Sequence, residues 1–519
     1  MNAPDGFRRQ RPGSGDGEAH GTDPAVLLDL LDEIAREKLE LHSLLIWQHG
    51  TLILEAYWQP YGPDRLHMMH SVTKSFTSMA VGLAFDDGLL SLDDRVIDYF
   101  PEFLATAAQG IETMRLRHVL TMTSGHGRGI SGGAWRKLSS SWAEDFLSQP
   151  IVHTPGDVFV YDSACSYMLA AIVQRVVGRT VHDYLRERIF NPMGLTQEIR
   201  WDLSPEGVNS GGNGLWCRSS DLLNLGLLHL QDGQWCGKQL LSSEWVRAAK
   251  GMQVRDVSLG FLTGEAYLGP EESFGGVSAE RREGYGFQWW RGPNESFSAS
   301  GLFGQSCIVF EQKNAVIAFT AGIDDEDRRL LNMIHKDLYP ALGQWRGAEL
   351  PARLDALEVA PPPRADGTVA PASWQGLYHA ENNDQGITSV SLAHEAQGVR
   401  IEIVDERGCH SILAGIGQRL EGTTTIAEPR LHHAYEFGEG ARVAAWAAWQ
   451  PATKDGWACL VFDWVLVETA FRDTARCYFK DGCLRLQREV NVNSSIRILP
   501  EIRATLQSEK ALASGETLP

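Results

Sequence analysis

The chain has 519 residues, 43% of them hydrophobic, and a net charge of −19 from 47 basic and 66 acidic side chains. This length predicts two or three domains, and the acidic balance argues against nucleic acid or an anionic membrane as the main partner. Residues 1–24 are predicted to be disordered and lack the apolar core of a signal peptide. No run reaches the roughly 18–20 apolar residues of a membrane span. None of the eight cysteines forms Cys-x-x-Cys, so we expect a cytoplasmic protein with free thiols.

From residue 25 onwards, helical and strand patterns alternate. An amphipathic helix is predicted over 27–39, and a hairpin over 43–58 with its turn at His49-Gly50. Strands at both ends with helices between them predict one sheet completed by the two ends of this domain. The later predicted elements are helices over 164–177 (ended by Gly178), over 222–230 (capped by Ser219 or Ser220) and over 333–342, and strands over 306–310 and 315–320.

Ser71-Val72-Thr73-Lys74 opens an apolar helical run. Residues three apart lie on one helix face, so the Lys74 amine can reach the Ser71 hydroxyl. Burial or neighbouring charge can lower a lysine pKa until the amine acts as a base. The backbone N–H groups of a helix N-terminus also favour developing negative charge. This spacing predicts acyl transfer, with Ser71 as nucleophile and Lys74 as base.

Two later segments can complete such a site. Tyr161 follows the turn Pro155-Gly156-Asp157 and precedes an apolar helix, where it can pass protons between nucleophile and leaving group. The alternative for Tyr161 is simple packing, because its ring buries well. The small residues of 298–305 let backbone approach a ligand closely, so an N–H there can form an oxyanion hole with that of Ser71. The alternative is a tight strand entry with no ligand.

The histidines near these segments give no metal signature. His67 and His70 form His-x-x-His just before Ser71, but zinc sites need further ligands and no His-Glu-x-x-His is present. We expect packed or surface histidines, no metal and no cofactor. His126 and His153 lie in loops beside the predicted site, where either can touch substrate, although nothing in the sequence requires it.

A proline-rich segment, 351–372, predicts a stiff exposed linker between two domains. Beyond it, 373–519 changes to short alternating strands, including a hairpin about Asp481-Gly482, which predicts an antiparallel barrel. The tail after Ile502 looks helical or loose. The strands of this region are predicted over 399–404, 442–449, 458–467 and 477–487.

Taken together, Ser-x-x-Lys, a Tyr-x-Ser about 90 residues later and a small-residue motif before a late strand resemble the serine β-lactamase and penicillin-binding-protein superfamily, in particular its class C β-lactamase branch with esterase and D-aminopeptidase relatives. The resemblance spans about residues 25–345. It implies an α+β fold for 25–350: an antiparallel sheet flanked by helices with an all-helical subdomain, followed by an all-β antiparallel barrel. Supporting segments are Leu-Thr-Met-Thr-Ser-Gly at 120–125, Pro-Gly-Asp-x-Phe-x-Tyr ending at 161, Asn-Pro-Met-Gly-Leu at 191–195, and 212–222.

The resemblance also implies roles for individual residues. Ser71 is the implied nucleophile, Lys74 the base that deprotonates it, and Tyr161 the group that shares that proton and delivers it to the leaving group. The barrel resembles lipocalin-like domains behind some relatives, opening at Trp-Gln-Gly-Leu-Tyr-His-Ala, 374–380. In those relatives the extra domain can shape the active-site entrance; a role in stability or assembly is the alternative.

Two departures from the family pattern concern substrate binding. Ser163 stands where an asparagine commonly contacts substrate, and the third motif falls on Ala299-Ser300-Gly301, where the first position is usually lysine, histidine or tryptophan. Without a lysine to bind a substrate carboxylate, we expect β-lactams to be poor substrates at best. Leu302 N–H is the implied second oxyanion donor. The predicted substrate-binding residues are therefore Ser163, Ser300, Gly301 and Leu302.

The sequence thus predicts a serine hydrolase that forms an acyl-enzyme at Ser71 and acts on a small-molecule or peptide substrate. The bond cleaved is an ester or a peptide-like amide, D-amino-acid amides included. Two alternatives stay open: an acyltransferase or peptide cyclase using the same acyl-enzyme, and a penicillin-binding sensor module without turnover. The sequence does not give the oligomeric state.

Overall fold

The computed structural model describes residues 23–127, 129, 136, 138–257, 261–263, 266–268, 283–324, 329–343, 354–361, 370–371, 374–426, 428–435, 437, 440–494 and 496–507. The chain divides into two units, Met1–Glu358 and Val359–Pro519. Of the predicted disordered start, 1–24, only Asp23 and Pro24 are described, and they begin the first helix. The linker predicted over 351–372 is described only at 354–361 and 370–371, so its limits remain a prediction.

The strands of the first unit are β1 Leu41–Gln48, β2 Thr51–Tyr57, β3 His67–Met68, β4 Arg200–Trp201, β5 Leu215–Cys217, β6 Gln234–Trp235, β7 Lys238–Gln239, β8 Phe261–Thr263, β9 Ala266–Leu268, β10 Gly284–Tyr285, β11 Trp290–Arg291, β12 Phe297–Gly301, β13 Gln305–Phe310 and β14 Ala315–Ala321. Seven of them form one antiparallel sheet in the order β10-β11-β12-β13-β14-β1-β2. Leu45 on β1 pairs with Ala318 on β14, so the two ends of the domain complete the sheet as predicted. β1, β13 and β14 are buried along their whole length, and the helix Ser219–Leu230 packs on all three of them.

The described helices of the first unit are α1 Pro24–Arg36, α2 Thr73–Asp86, α3 Leu116–Leu120, α4 Trp142–Ser148, α5 Ser163–Val177, α6 Val181–Leu185, α7 Asn191–Met193, α8 Ser219–Leu230, α9 Ser243–Lys250, α10 Arg329–Asn332 and α11 Tyr339–Ala341. Helix α8 packs on β1, β13 and β14. A Cβ on Gly226 of α8 would lie 2.5 Å from the sulfur of Cys307, so a glycine is needed for this close approach. Helices α2 and α5 pack against each other and form the centre of the helical part.

Helix α2 is buried on every side. Phe76, Met79, Ala80 and Leu83 form the predicted apolar face, each at most 1% exposed, yet Lys74 and several hydroxyl side chains of this helix are buried as well. An apolar stripe alone would leave the opposite face in water. Because this helix runs through the core of the unit, its polar residues must find partners inside the protein.

Two local details of the first unit differ from the sequence predictions. The N-cap of α8 is Arg218, not Ser219 or Ser220, because the Asp221 side chain accepts a hydrogen bond from Arg218 N at 3.0 Å. The helix predicted over 333–342 is three short segments, Arg329–Asn332, a π-helix over Met333–Leu338, and Tyr339–Ala341.

The second unit is an antiparallel barrel, as predicted. Its strands are β15 Gly376–Ala380, β16 Ser389–His394, β17 Gly398–Asp405, β18 Gly408–Ile416, β19 Leu420–Thr424, β20 Ala441–Gln450, β21 Ala458–Leu466, β22 Arg472–Lys480, β23 Cys483–Val490 and β24 Ile502–Leu506. Nine of these ten strands close into a ring, because β18 pairs in parallel with β20. The tenth strand, β19, lies outside the ring and pairs with β20. The turn between β22 and β23 has positive φ at both Asp481 and Gly482, which suits a two-residue hairpin.

The prediction that the tail after Ile502 is helical or loose was wrong for its first residues, and 508–519 lie outside the described residues. Ile502–Leu506 is a strand, β24, that pairs with β15 and β23. Ile502 and Ala504 are buried while Arg503 and Thr505 are exposed, the period-two alternation of a strand with one face in the core. No helix among the described residues has the length and hydrophobicity needed to cross a membrane.

Candidate active site

Ser71 and Lys74 are joined by a hydrogen bond. Ser71 lies in a 3₁₀ turn, His70–Val72, that leads directly into α2, and Lys74 Nζ donates to Ser71 Oγ at 2.8 Å. Ser71 is partly exposed, whereas Lys74 is 1% exposed. The spacing of three residues therefore places a buried amine behind a hydroxyl that a substrate can reach.

Lys74 donates two further hydrogen bonds. Its Nζ lies 2.9 Å from Ser163 Oγ at the start of α5, and 2.7 Å from the carbonyl oxygen of Gly212. Burial lowers the pKa of Lys74 from 10.5 to about 7, although the negative charge of Asp162 and the thiol of Cys165 act in the opposite direction. An amine with this pKa is about half neutral at pH 7, which suits a general base.

Tyr161 lies beside the same amine. The centroid of its ring is 4.9 Å from Lys74 Nζ. Two aromatic rings also pack against Tyr161. Trp290 on β11 stacks on it with ring centroids 5.3 Å apart and an interplanar angle of 28°, and Tyr285 packs edge-on against the Tyr161 ring. Tyr161 is 7% exposed. The sheet thus fixes the orientation of a tyrosine that belongs to the helical part of the chain.

The turn that contains Ser71 has an uncommon backbone conformation. His70 has φ +46°, in the left-handed region that non-glycine residues seldom adopt. Its carbonyl accepts a hydrogen bond from Thr73 Oγ1 at 2.6 Å, and its ring meets Phe303 edge-on. Local strain of this kind is found where surrounding contacts hold a functional residue in place. Here these contacts of His70 hold Ser71 at the N-terminus of α2.

Gly301, the last residue of β12, passes against the backbone of Ser71. A Cβ at Gly301 would lie 2.3 Å from Met69 O and 3.1 Å from Ser71 N, so only glycine fits. The next residue, Leu302, is held through its carbonyl, which accepts from Gln305 Nε2 at 2.9 Å. The end of β12 therefore lies directly beside the backbone N of Ser71.

The other two residues of the third motif, Ala299 and Ser300, are part of strand β12. Ala299 is 1% exposed and pairs with Cys307 on β13. Since side chains alternate along a strand, Ser300 lies on the opposite face of β12 from Ala299 and Gly301. The structure thus brings Ser71, Lys74, Tyr161, Ser163 and Gly301 together, but it places the Ser300 side chain on the other face.

Three contributors to this arrangement were not assigned from sequence. Gly212 accepts from Lys74, Gln305 holds Leu302, and Trp290 stacks on Tyr161. Gly212 begins the segment 212–222 that the sequence analysis singled out, so a signal existed for it. Gln305 ends the segment 298–305, which the sequence also marks, whereas Trp290 reaches the site only through the folding of the sheet.

The histidines upstream of Ser71 have protein partners. His67 Nε2 lies 3.0 Å from His42 Nδ1, and His67 Nδ1 lies 3.0 Å from Met68 O. The ring of Tyr61 stacks on His42 at 3.7 Å. In the part of the chain that the structure describes, no group of three or more His, Cys, Asp or Glu side chains is arranged to hold a metal.

Comparison with known proteins places these residues in a family context. Residues 32–220 match the profile of the family described as Beta-lactamase. The chain is 23% identical over 328 residues to the 6-aminohexanoate-dimer hydrolase of Paenarthrobacter ureafaciens, covering 59% of this chain and 80% of that protein.

Two further relatives match shorter stretches. The chain is 26% identical to penicillin-binding protein 4 of Amycolatopsis lactamdurans, covering 33% of this chain and 52% of that protein. It is also 26% identical to the esterase EstB of Burkholderia gladioli, covering 35% of this chain and 53% of that protein. The chain thus spans about half the length of these two relatives.

Proposed function

Because this chain belongs to the β-lactamase and penicillin-binding-protein superfamily, we propose that it is a serine hydrolase that forms an acyl-enzyme at Ser71. The observation that carries the proposal is the 2.8 Å hydrogen bond from Lys74 Nζ to Ser71 Oγ. The pKa of Lys74, lowered to about 7 chiefly by burial, supports it.

Acylation begins with proton transfer. Neutral Lys74 accepts the proton of Ser71 Oγ as that oxygen attacks the substrate carbonyl carbon. The negative charge that develops on the carbonyl oxygen is stabilised by the backbone N–H groups of Ser71 and Leu302, the latter positioned by Gly301 and Gln305. Both donors belong to the backbone, so their positions depend on the fold and not on rotamers.

Collapse of the tetrahedral intermediate needs a proton on the leaving group. Tyr161, next to Lys74 and oriented by Trp290, passes the proton from the lysine to the departing nitrogen or oxygen. Ser163 and Gly212 hold the protonated amine through their hydrogen bonds in the meantime. Water then attacks the acyl ester by the reverse sequence and frees Ser71.

The substrate proposed is an ester or a peptide-like amide. The relatives named above include a 6-aminohexanoate-dimer hydrolase and an esterase. Ala299 is small, buried and uncharged, so this strand position offers no cation for a carboxylate of the kind that β-lactams carry. We therefore propose a low rate on β-lactams.

The test compares the wild type with Ser71→Ala on p-nitrophenyl esters, D- and L-amino-acid amides and nitrocefin, and by covalent labelling with a fluorophosphonate. Ser71→Ala is expected to lose at least about 10⁴-fold in turnover and all labelling. Ser78→Ala is the matched control, because its hydroxyl is buried on the same helix with no hydrogen-bond partner among the described residues. Turnover or labelling that survives in Ser71→Ala would refute the proposal. An amine acceptor added to the assay separates hydrolysis from acyl transfer by the products formed.

A further inference from the structure

The residue between Tyr161 and Ser163 is a buried aspartate that the mechanism above does not use. Asp162 is 1% exposed, and its Oδ1 accepts a hydrogen bond from Ala164 N at 2.7 Å. It is the N-cap of α5, the helix whose first residue, Ser163, binds Lys74. A serine or asparagine could cap this helix equally well, so capping alone does not explain a buried charge at this position.

A histidine lies behind the carboxylate. His126 Nδ1 is 3.8 Å from Asp162 Oδ2 and 3.3 Å from Ser124 Oγ, and its ring meets Phe146 edge-on with centroids 4.5 Å apart. His126 is 2% exposed. A buried carboxylate needs such polar neighbours, because taking a charge out of water is costly unless other groups compensate. His126 and the backbone N–H of Ala164 are two such polar neighbours.

The groups that face Lys74 come from three parts of the chain. Ser71 lies on the turn before its own helix, Gly212 offers a carbonyl, and the remaining groups, Tyr161, Asp162, Ser163 and Cys165, lie at the start of α5 or just before it. Burial raises the pKa of the Cys165 thiol well above its usual value, so the thiol is neutral at pH 7. Asp162 lies between Tyr161 and Ser163, whose side chains lie at the amine, and its carboxylate acts to raise the pKa of Lys74.

This charge opposes the effect of burial. Burial favours the neutral amine, whereas a nearby carboxylate favours the ammonium form. A catalytic base works best when its proton affinity matches the working pH, because an amine that binds protons too weakly is a poor base even though it is always neutral. A balance between the two effects serves both halves of the reaction, in which the proton is first accepted and later returned.

We propose that Asp162 is a positioning residue that acts on Ser71 through Lys74: its buried carboxylate, held as the cap of α5, keeps the Lys74 amine able both to accept and to return the proton of Ser71. The inference rests on the proposed function, since it takes Lys74 to be the base. It assigns to Asp162 an electrostatic role that a structural cap does not have.

The test measures the rate of fluorophosphonate labelling of Ser71 against pH in the full chain. Asp162→Asn keeps a capping oxygen and removes the charge, so the midpoint of the rise with pH is expected to move down by about one pH unit relative to wild type. The rate on the high-pH plateau is expected to fall several-fold, because the amine has become a weaker base. Asp23→Asn is the matched control, because Asp23 caps α1 by the same kind of bond to Ala25 N.

The outcomes separate the inference from the proposed function. If Ser71→Ala is still labelled, the proposed function fails. If Ser71→Ala is not labelled but Asp162→Asn keeps the wild-type midpoint and plateau of the labelling rate against pH, Asp162 is only a helix cap and the inference is overturned. Should Asp162→Asn not fold, Asp162→Ser, which also offers a capping oxygen, is measured in the same way. A downward shift in it supports the inference, and an unchanged midpoint overturns it.

Discussion

Replacing Lys74 by methionine is expected to stabilise the protein and abolish its activity. Lys74 is fully buried with a pKa of about 7, against 10.5 for a free lysine side chain. This difference corresponds to a cost in folding free energy of about 5 kcal/mol whenever the amine is charged in both the folded and the unfolded state. Methionine has a similar length and no charge, so it avoids this cost while filling the same space.

The cost depends on pH in a defined direction. Below pH 7 both states bind the proton and the cost is present in full. Between pH 7 and 10.5 the unfolded state binds a proton that the folded state has lost, so the wild-type free energy of unfolding rises by up to about 1.4 kcal/mol per pH unit. The methionine variant lacks this term. Its advantage over the wild type is therefore expected to shrink by roughly 2 to 3 kcal/mol between pH 6 and pH 9.

Urea titrations of both proteins at pH 6, 7.5 and 9, followed by circular dichroism and tryptophan fluorescence, measure this difference directly. Other titrating groups cancel because they are common to both proteins. Lys238→Met, at an exposed position of the same unit, is the control and is expected to show no such trend. A difference between wild type and Lys74→Met that is the same at pH 6 and pH 9 would refute the reasoning, because it would mean that Lys74 is not a buried amine with a lowered pKa.

Two further predictions concern other parts of the molecule. Gly301→Ala is expected to lower the rate of Ser71 labelling at least about 100-fold, because the added Cβ would clash with Met69 O and crowd Ser71 N; Gly62→Ala, where an added Cβ meets nothing within 4 Å, is expected to keep the wild-type rate. In the barrel, His432→Leu removes the 2.7 Å partner of Asp473 and leaves that carboxylate buried. The expected loss is about 3 kcal/mol of stability, and a change below about 0.5 kcal/mol in denaturant unfolding would contradict it.

Local patterns predicted the elements of this protein better than their assembly. The hairpin expected over 43–58 exists as β1 and β2, and the apolar face of α2 is buried, because turn chemistry and helical periodicity act over a few residues. Ser71 and Lys74 meet because they share one turn of helix. These features need no knowledge of the rest of the chain.

Features that depend on distant segments could not be read in this way. Trp290 on β11 reaches Tyr161 from a distant part of the chain, and Gln305 exchanges hydrogen bonds with the backbone of Ala321 on β14. The last strand of the barrel, 502–506, has only five residues, too few for its alternation to stand out from a tail. The parallel pairing of β18 with β20 closes the ring, and the sequence of neither strand alone indicates it.

The order of strands in the first unit also bears on how the protein matures in the cell. The ribosome delivers β1, β2 and the serine-bearing turn early, whereas Gly301 of β12 and Ala318 of β14, which contact that turn and β1, emerge hundreds of residues later. Pairings between such distant segments form slowly and only after both have left the exit tunnel. Nascent chains that end before Gly301 are therefore expected to lack the contact between the end of β12 and the backbone of Ser71.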